Sequence, residues 1–109
     1  MNTTITAKHS LIDMSTLERV APIIRHVAHP LRLRILDYLN QAGEARTVTE
    51  IMQATRASQP VVSQQLRILR TCGVLQAQRA GTHVLYSIAD PSLLLLLECI
   101  QRHHTEVRA

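Results

Sequence analysis

A chain of 109 residues is one domain, large enough for a modest core and small enough that self-association would help it. Twelve Lys+Arg against eight Asp+Glu give a net charge of +4, and eleven of the twelve cations are Arg, the side chain that best pairs with phosphate and guanine, so a polyanion is the natural partner. Aromatic content of 2%, with no Trp or Phe, leaves the core to Leu, Ile, Val and Ala and favours helices; two cysteines exclude a disulfide framework or a paired zinc motif.

The opening residues, MNTTITAKHS, lack a hydrophobic signal core, and the longest apolar run, Leu93 to Leu97, is too short to span a bilayer. A soluble, cytoplasmic protein with no membrane contact is expected. Residues 1–14 are read as a flexible N-terminal arm. Ser15-Thr16-Leu17-Glu18 then reads as a capping box, and Leu17, Val20, Ile24 and Val27 recur at helical spacing, which predicts a first helix from about Ser15 to Ala28. His29-Pro30 interrupts it. Pro30 starts a second helix through about Gln41, with Leu33, Leu36 and Tyr38 or Leu39 inward and Arg32 and Arg34 partly outward, and Gly43 ends it. His26 and His29 read as helix-junction residues.

Thr47-Val48-Thr49-Glu50 is a second capping box, opening a short helix to about Thr55 with Val48 and Ile51 inward. Only Arg56 and Ala57 separate it from the next helix, which Ser58 would cap and which carries Pro60 in its first turn. Val62, Leu66 and Leu69 fall on one stripe of that helix. Its other side carries Gln59, Pro60, Ser63, Gln64, Arg67 and Arg70, with no carboxylate among them. Glutamine pairs bidentately with adenine and arginine with guanine, while Ser and Arg also reach phosphates, so this is the face expected of a helix laid in a major groove. A short helix, a tight link and a polar-faced helix is the spacing of a helix-turn-helix.

After Gly73, the stretches Val74 to Arg79 and His83 to Ile88 alternate as two strands, joined at Ala80-Gly81-Thr82. Beside a helix-turn-helix such a hairpin is a wing, and Arg79, Thr82 and His83 at its tip face a minor groove or phosphates. Asp90-Pro91 caps a final helix to about Thr105. Leu93, Leu94, Leu95, Leu96, Leu97 and Ile100 surround most of its circumference, and one small domain can cover only one side. The simplest cover is a second subunit, with Leu17, Val20, Leu93, Leu96, Leu97 and Ile100 in the interface. The predicted fold is therefore mainly α with a small β-hairpin, in the order α-α-α-α-β-β-α. Residues 15–109 form one winged helix-turn-helix unit for DNA binding and dimerisation. Ser58, Gln59, Ser63, Gln64 and Arg67 read the major groove, and Arg70, Arg79, Thr82 and His83 hold backbone or minor groove.

His29-Pro30-Leu31-Arg32-Leu33-Arg34-Ile35-Leu36, Ser58-Gln59-Pro60 with Val62-Ser63-Gln64-Gln65-Leu66, Gly73-Val74-Leu75 and Gly81-Thr82-His83-Val84-Leu85-Tyr86 occur in this order. Together they resemble the ArsR/SmtB family of bacterial winged-helix repressors, over roughly residues 15 to 105. The resemblance implies a homodimer that binds an inverted-repeat double-stranded DNA operator and leaves it when an inducer arrives. The family's arsenic-type site needs Cys-x-Cys where this chain has Thr47 and Thr49, and a hydroxyl does not replace thiolate. Its interfacial zinc-type site matches Asp90, Ser92, His103 and Glu106 here, three of the four being ligands for Zn²⁺ or Ni²⁺, with His104 or His9 as substitutes for the missing nitrogen. Asp90 also reads as a helix cap, and His103 and His104 as complements to the helix dipole.

Redox-sensing relatives place cysteine pairs in the second and last helices, and only Cys99 lies in such an element. Both Cys72 and Cys99 are read as buried small hydrophobes, which leaves a metal-independent or thiol-responsive regulator as the alternative. A metalloenzyme built on the His-rich tail with Glu106 is the remoter one: no second ligand cluster, Gly-rich phosphate loop or Ser/Cys–His–Asp signature accompanies the tail. A dimeric interaction module without DNA is opposed by the acid-free face from Ser58 to Arg70.

Overall fold

The computed structural model describes residues 10–108, with side chains through residue 105. Of the arm expected over residues 1–14, residues 1–9, His9 included, lie outside this range, and Met14 already begins α1 (Met14–Val27). The N-cap of α1 is Asp13, without a side-chain capping bond, and Leu17 N–H donates to the Asp13 carbonyl at 3.1 Å. Ser15 therefore lies inside the first turn, and the box expected from Ser15 to Glu18 does not form. Pro22 sits within α1, and after the two intervening residues Ala28 and His29, Pro30 opens α2 (Pro30–Ala42). Both junction histidines serve helix ends or turns: the His29 ring Nδ1 accepts from Leu31 N–H at 3.2 Å, and His26 Nδ1 donates to the Pro22 carbonyl at 2.7 Å.

Helix α3 (Val48–Thr55) begins at the expected capping box. Glu50 N–H donates to Thr47 Oγ1 at 3.2 Å and Thr47 N–H donates to Glu50 Oε1 at 2.9 Å, so two helix-end donors are satisfied reciprocally. Arg56 closes α3 with φ of 59°, the one left-handed non-glycine among the described residues, and its N–H returns to the Met52 carbonyl at 2.7 Å. This single-residue reversal makes the tight turn before α4 (Gln59–Thr71).

Helix α4 ends in a Schellman motif, with Gly73 at φ 84°, Gly73 N–H to the Arg70 carbonyl at 3.1 Å and Val74 N–H to the Leu69 carbonyl at 2.9 Å. Val74 is thereby buried at the end of the turn, and β2 starts one residue later than expected (Leu75–Ala80). It pairs antiparallel with β3 (His83–Ile88) in the register Leu75↔Ile88 to Ala80↔His83. The loop is the two residues Gly81-Thr82, with Gly81 at φ 65°, a left-handed value that suits the twist of a hairpin.

The sheet has a third strand that the sequence does not announce. Arg46 and Thr47 form β1 and pair antiparallel with β3 (Arg46↔Tyr86, Thr47↔Leu85), giving the order β1-β3-β2. Two residues are too short to show alternation, and only the tertiary pairing makes them a strand. The core joins Val27, Ile35, Leu36, Leu39 and Ile51 to the α4 stripe of Val62, Leu66 and Leu69, with Val74 and Leu75 beneath the wing. Ile35 rather than Leu33 takes the central place on α2, since Leu33 is only partly covered. Helix α5 (Leu93–Arg108) lies against α2 and contributes Leu93 and Leu97 to the same core.

Candidate nucleic-acid interface

The α4 stripe is fully buried, and that fixes which way the helix faces. Val62, Leu66 and Leu69 are each at most 1% exposed, so Gln59, Pro60, Ser63, Gln64, Arg67 and Arg70 are turned to solvent. Ser58 holds the N-cap position, but its side chain makes no capping bond. At the hairpin tip Arg79, Thr82 and His83 are all exposed. No carboxylate occurs in the chain between Glu50 and Asp90, whereas four arginines do: Arg56, Arg67, Arg70 and Arg79. The whole segment from the turn of the helix-turn-helix to the end of the wing is thus cationic, and its field is uncompensated from within.

A cleft of about 480 Å³ separates α4 from the wing, lined by Ser63, Arg67, Arg70, Thr71 and Tyr86. Tyr86 is the residue there that a sequence reading misses. Its signal is the alternation of β3: Val84, Tyr86 and Ile88 share a face, and Tyr86 and Ile88 pack against the core. Gln65 is buried, at 8% exposure, and its Oε1 accepts from Arg32 Nε at 2.6 Å, while Arg32 itself is half-buried and so partly outward as expected.

The start of the helix-turn-helix is held by charge as well as capping. The Thr47 backbone N–H holds the Glu50 carboxyl below its ordinary value, with Arg46, 3.2 Å away, adding to the effect. Arg46 also pairs with Glu44 at 3.3 Å.

The remaining sequence candidates are distributed differently. Leu93 and Leu97 are 5% and 4% exposed: they face α2 within one protomer and have almost no surface left for a partner. The apolar surface that α5 does leave open is Leu94, Leu95, Leu96 and Ile100, with Leu17 and the half-buried Val20 on α1. Asp90 Oδ1 accepts from Ser92 N–H at 3.0 Å and from Ser92 Oγ at 2.6 Å, so it turns the chain into α5 as a cap does. His103 is exposed, while His104 lines a groove with Pro30 and Leu33 of α2; the two neighbours diverge as adjacent helical positions must. The Glu106 side chain lies outside the described residues. From Leu93 to His103 the helix rises about 15 Å, so Asp90 and His103 of one chain cannot share an ion. Among the described residues no three His, Cys, Asp or Glu side chains are gathered for a metal. Cys72 is half-buried, its thiol donating to the Leu69 carbonyl at 3.4 Å, but Cys99 is exposed on α5 and not part of the core. No described helix is long and apolar enough to cross a membrane.

Among the described residues, five helices around a three-stranded sheet, with a cationic polar helix presented beside the wing, define a winged helix-turn-helix protein of the class that regulates transcription. Residues 29–77 match the model of the arsR family of bacterial regulatory proteins. The chain is 38% identical over 77 residues to the HTH-type transcriptional repressor SmtB of Mycobacterium tuberculosis, a stretch covering 71% of this chain and 56% of that repressor's length. Its fold superposes on the AntR antimony-specific transcriptional repressor with a TM-score of 0.87 at 28% identity, covering 97% of this chain and 95% of the other. The homodimeric winged helix-turn-helix DNA-binding domain of Mb0332 from Mycobacterium bovis matches with a TM-score of 0.72 at 32% identity, over 93% and 92% of the two chains. The chain belongs to the arsR family of bacterial regulatory proteins.

Proposed function

We propose that this protein is a homodimeric transcriptional repressor that reads an inverted-repeat operator with α4 and holds the flanking backbone with its wing. The observation that carries the reading is the face of α4: Gln59, Ser63, Gln64, Arg67 and Arg70 are exposed together, acid-free, on a helix whose other side is sealed in the core. Ser58, Gln59, Ser63, Gln64 and Arg67 address base edges, and Arg70, Arg79, Thr82 and His83 address phosphates or the minor groove. The open apolar surface of Leu17, Val20, Leu96 and Ile100, with Leu94 and Leu95, is the part of α1 and α5 that a second copy covers, as in the homodimeric M. bovis relative. Phosphate neutralisation by several arginines releases counterions, so log K for duplex DNA should fall steeply with log salt. Fluorescence anisotropy of a labelled duplex across a salt series checks this, and a flat response would remove the electrostatic basis of the reading.

For the inducer we infer a divalent cation of the Zn²⁺ or Ni²⁺ kind, bound across two α5 helices by Asp90 of one and His103 with Glu106 of the other. The antimony-specific repressor AntR, which shares the fold, supports an inorganic inducer, while Thr47 and Thr49 supply hydroxyls and not thiolates for a Cys-x-Cys site. The donor set of carboxylate and imidazole suits a borderline cation, and the Ser92 hydroxyl, already committed to Asp90, leaves the site one strong ligand short. Isothermal titration of the wild type and Ser92→His with both metals tests it: the substitution should tighten binding, and no heat from either protein would leave these residues as a helix cap and a solvated tail.

A further inference from the structure

One polar contact ties three helices together behind the DNA-facing surface. The fourth residue after His26 is Pro30, which has no N–H, so the His26 carbonyl near the end of α1 has no helical donor. Arg32 of α2 supplies one: its Nη1 donates to that carbonyl at 2.8 Å, while its Nε donates to Gln65 Oε1 on α4 at 2.6 Å. The guanidinium is half-buried and has no carboxylate partner among the described residues, where the ion pairs involve Arg46 and Arg102. Gln65 is flanked in sequence by Gln64 and lies two residues from Arg67, both on the exposed face.

We propose that Arg32 is a positioning residue for operator reading: its planar fork sets the roll and height of α4 against the end of α1, and so links the subunit-contact helix to the base-reading helix. The inference rests on the repressor reading above. A site that needed stability alone would be served as well by an aliphatic side chain, since burying a charge against neutral acceptors costs solvation that packing does not. What an aliphatic chain cannot do is fix two directions at once. The guanidinium holds its donors in one rigid plane, so the Gln65 amide and the His26 carbonyl cannot shift relative to each other without losing a bond. Base-edge recognition is sensitive to displacements of this kind, whereas phosphate contacts by long arginines adapt to them.

The test uses the full chain and a duplex enriched from a randomised library by the wild-type protein. Arg32→Lys keeps the charge but cannot present two in-plane donors, and Gln65→Met keeps the volume but removes the acceptor. Each should weaken binding to the selected duplex by about tenfold, the scale of one charge-assisted hydrogen bond. The slope of log K against log salt should not change, because no phosphate contact is lost. The double variant should bind no more weakly than the weaker single one, the signature of a shared contact. Melting curves establish that each variant is folded; if Gln65→Met were to unfold, Gln65→Asn, shorter by one methylene, carries the same expectation. The proposal is overturned if the folded variants bind as the wild type does, if their losses multiply, or if Arg32→Lys flattens the salt slope and so marks Arg32 as a phosphate contact. Failure of the wild type to enrich any sequence would instead remove the repressor reading, and this inference with it.

Discussion

Helices α4 and α5 leave opposite kinds of surface uncovered, although each gives one side to the same core. On α4 the solvent face is mainly amide, hydroxyl and guanidinium, with Pro60 and Val61 exposed in the first turn, and water satisfies those polar groups, so the face can stay open until it meets base edges and phosphates. On α5 the residues left exposed include the apolar Leu94, Leu95, Leu96 and Ile100, with Leu95 at 71% exposure, beside the polar Glu98, Gln101 and Arg102, and water gains nothing from the leucines. The first surface is selective because it is indifferent to being covered. The second is adhesive because it is not, and a contiguous apolar patch of this kind marks a protein contact.

The largest expected effect separates the two sides of α5. Leu96, 36% exposed, and Leu97, 4% exposed, are neighbours in sequence with different tasks. Leu96→Glu should leave a folded monomer, because a carboxylate then faces the partner's leucines, while Leu97→Glu should unfold the protomer by placing that charge in its own core. Sedimentation with circular dichroism distinguishes them, and a fully dimeric Leu96→Glu would move the interface elsewhere. On α4, Arg67→Ala should cost about 1–3 kcal/mol per half-site and relax specificity, read as binding to the selected duplex against single-base variants. Arg79→Ala on the wing should weaken every sequence alike and reduce the salt slope by about 1.

The smallest effects concern what holds the helix-turn-helix itself. Thr47→Ala removes the cap of α3 and should cost about 1 kcal/mol in urea unfolding. Glu50 is held below its ordinary value of 4.5, so its contribution to stability is fully present above that pH and is lost as pH falls through the lowered folded-state value. Glu50→Gln should flatten that part of the acid unfolding profile; an unchanged profile would mean that the box is not formed in solution.

Much of this was legible in the residues because local chemistry and tertiary demand agree there. Thr47 to Glu50 caps α3, Pro30 and Gly43 bound α2, and the spacing of Val62, Leu66 and Leu69 orients α4 before any neighbour is known. The exposed positions of that helix follow from the same stripe. Where the chain misled, a longer-range partner decided. Ser15 to Glu18 has the pattern of a box, but α1 starts at Met14 and leaves Ser15 within the first turn. The strand Arg46–Thr47 exists only through β3, and nothing local announces that the half-buried Arg32 finds its partner in the buried Gln65 of α4. The leucine run shows the limit best: five identical side chains carry no information about which of them face α2, and Cys99 among them proves exposed.

The central claim, that the open face of α4 reads DNA sequence in a two-fold arrangement, is tested most directly by selection. Wild-type protein and Arg67→Ala are each taken through enrichment of a randomised duplex library, and the recovered sequences are compared. The wild type should enrich an inverted repeat whose half-sites lie a whole number of helical turns apart, each turn about 10–10.5 bp. Arg67→Ala should retain the repeat but lose preference at one position per half-site. Recovery of sequences no different from the input, or an enriched site without two-fold symmetry, would contradict the account.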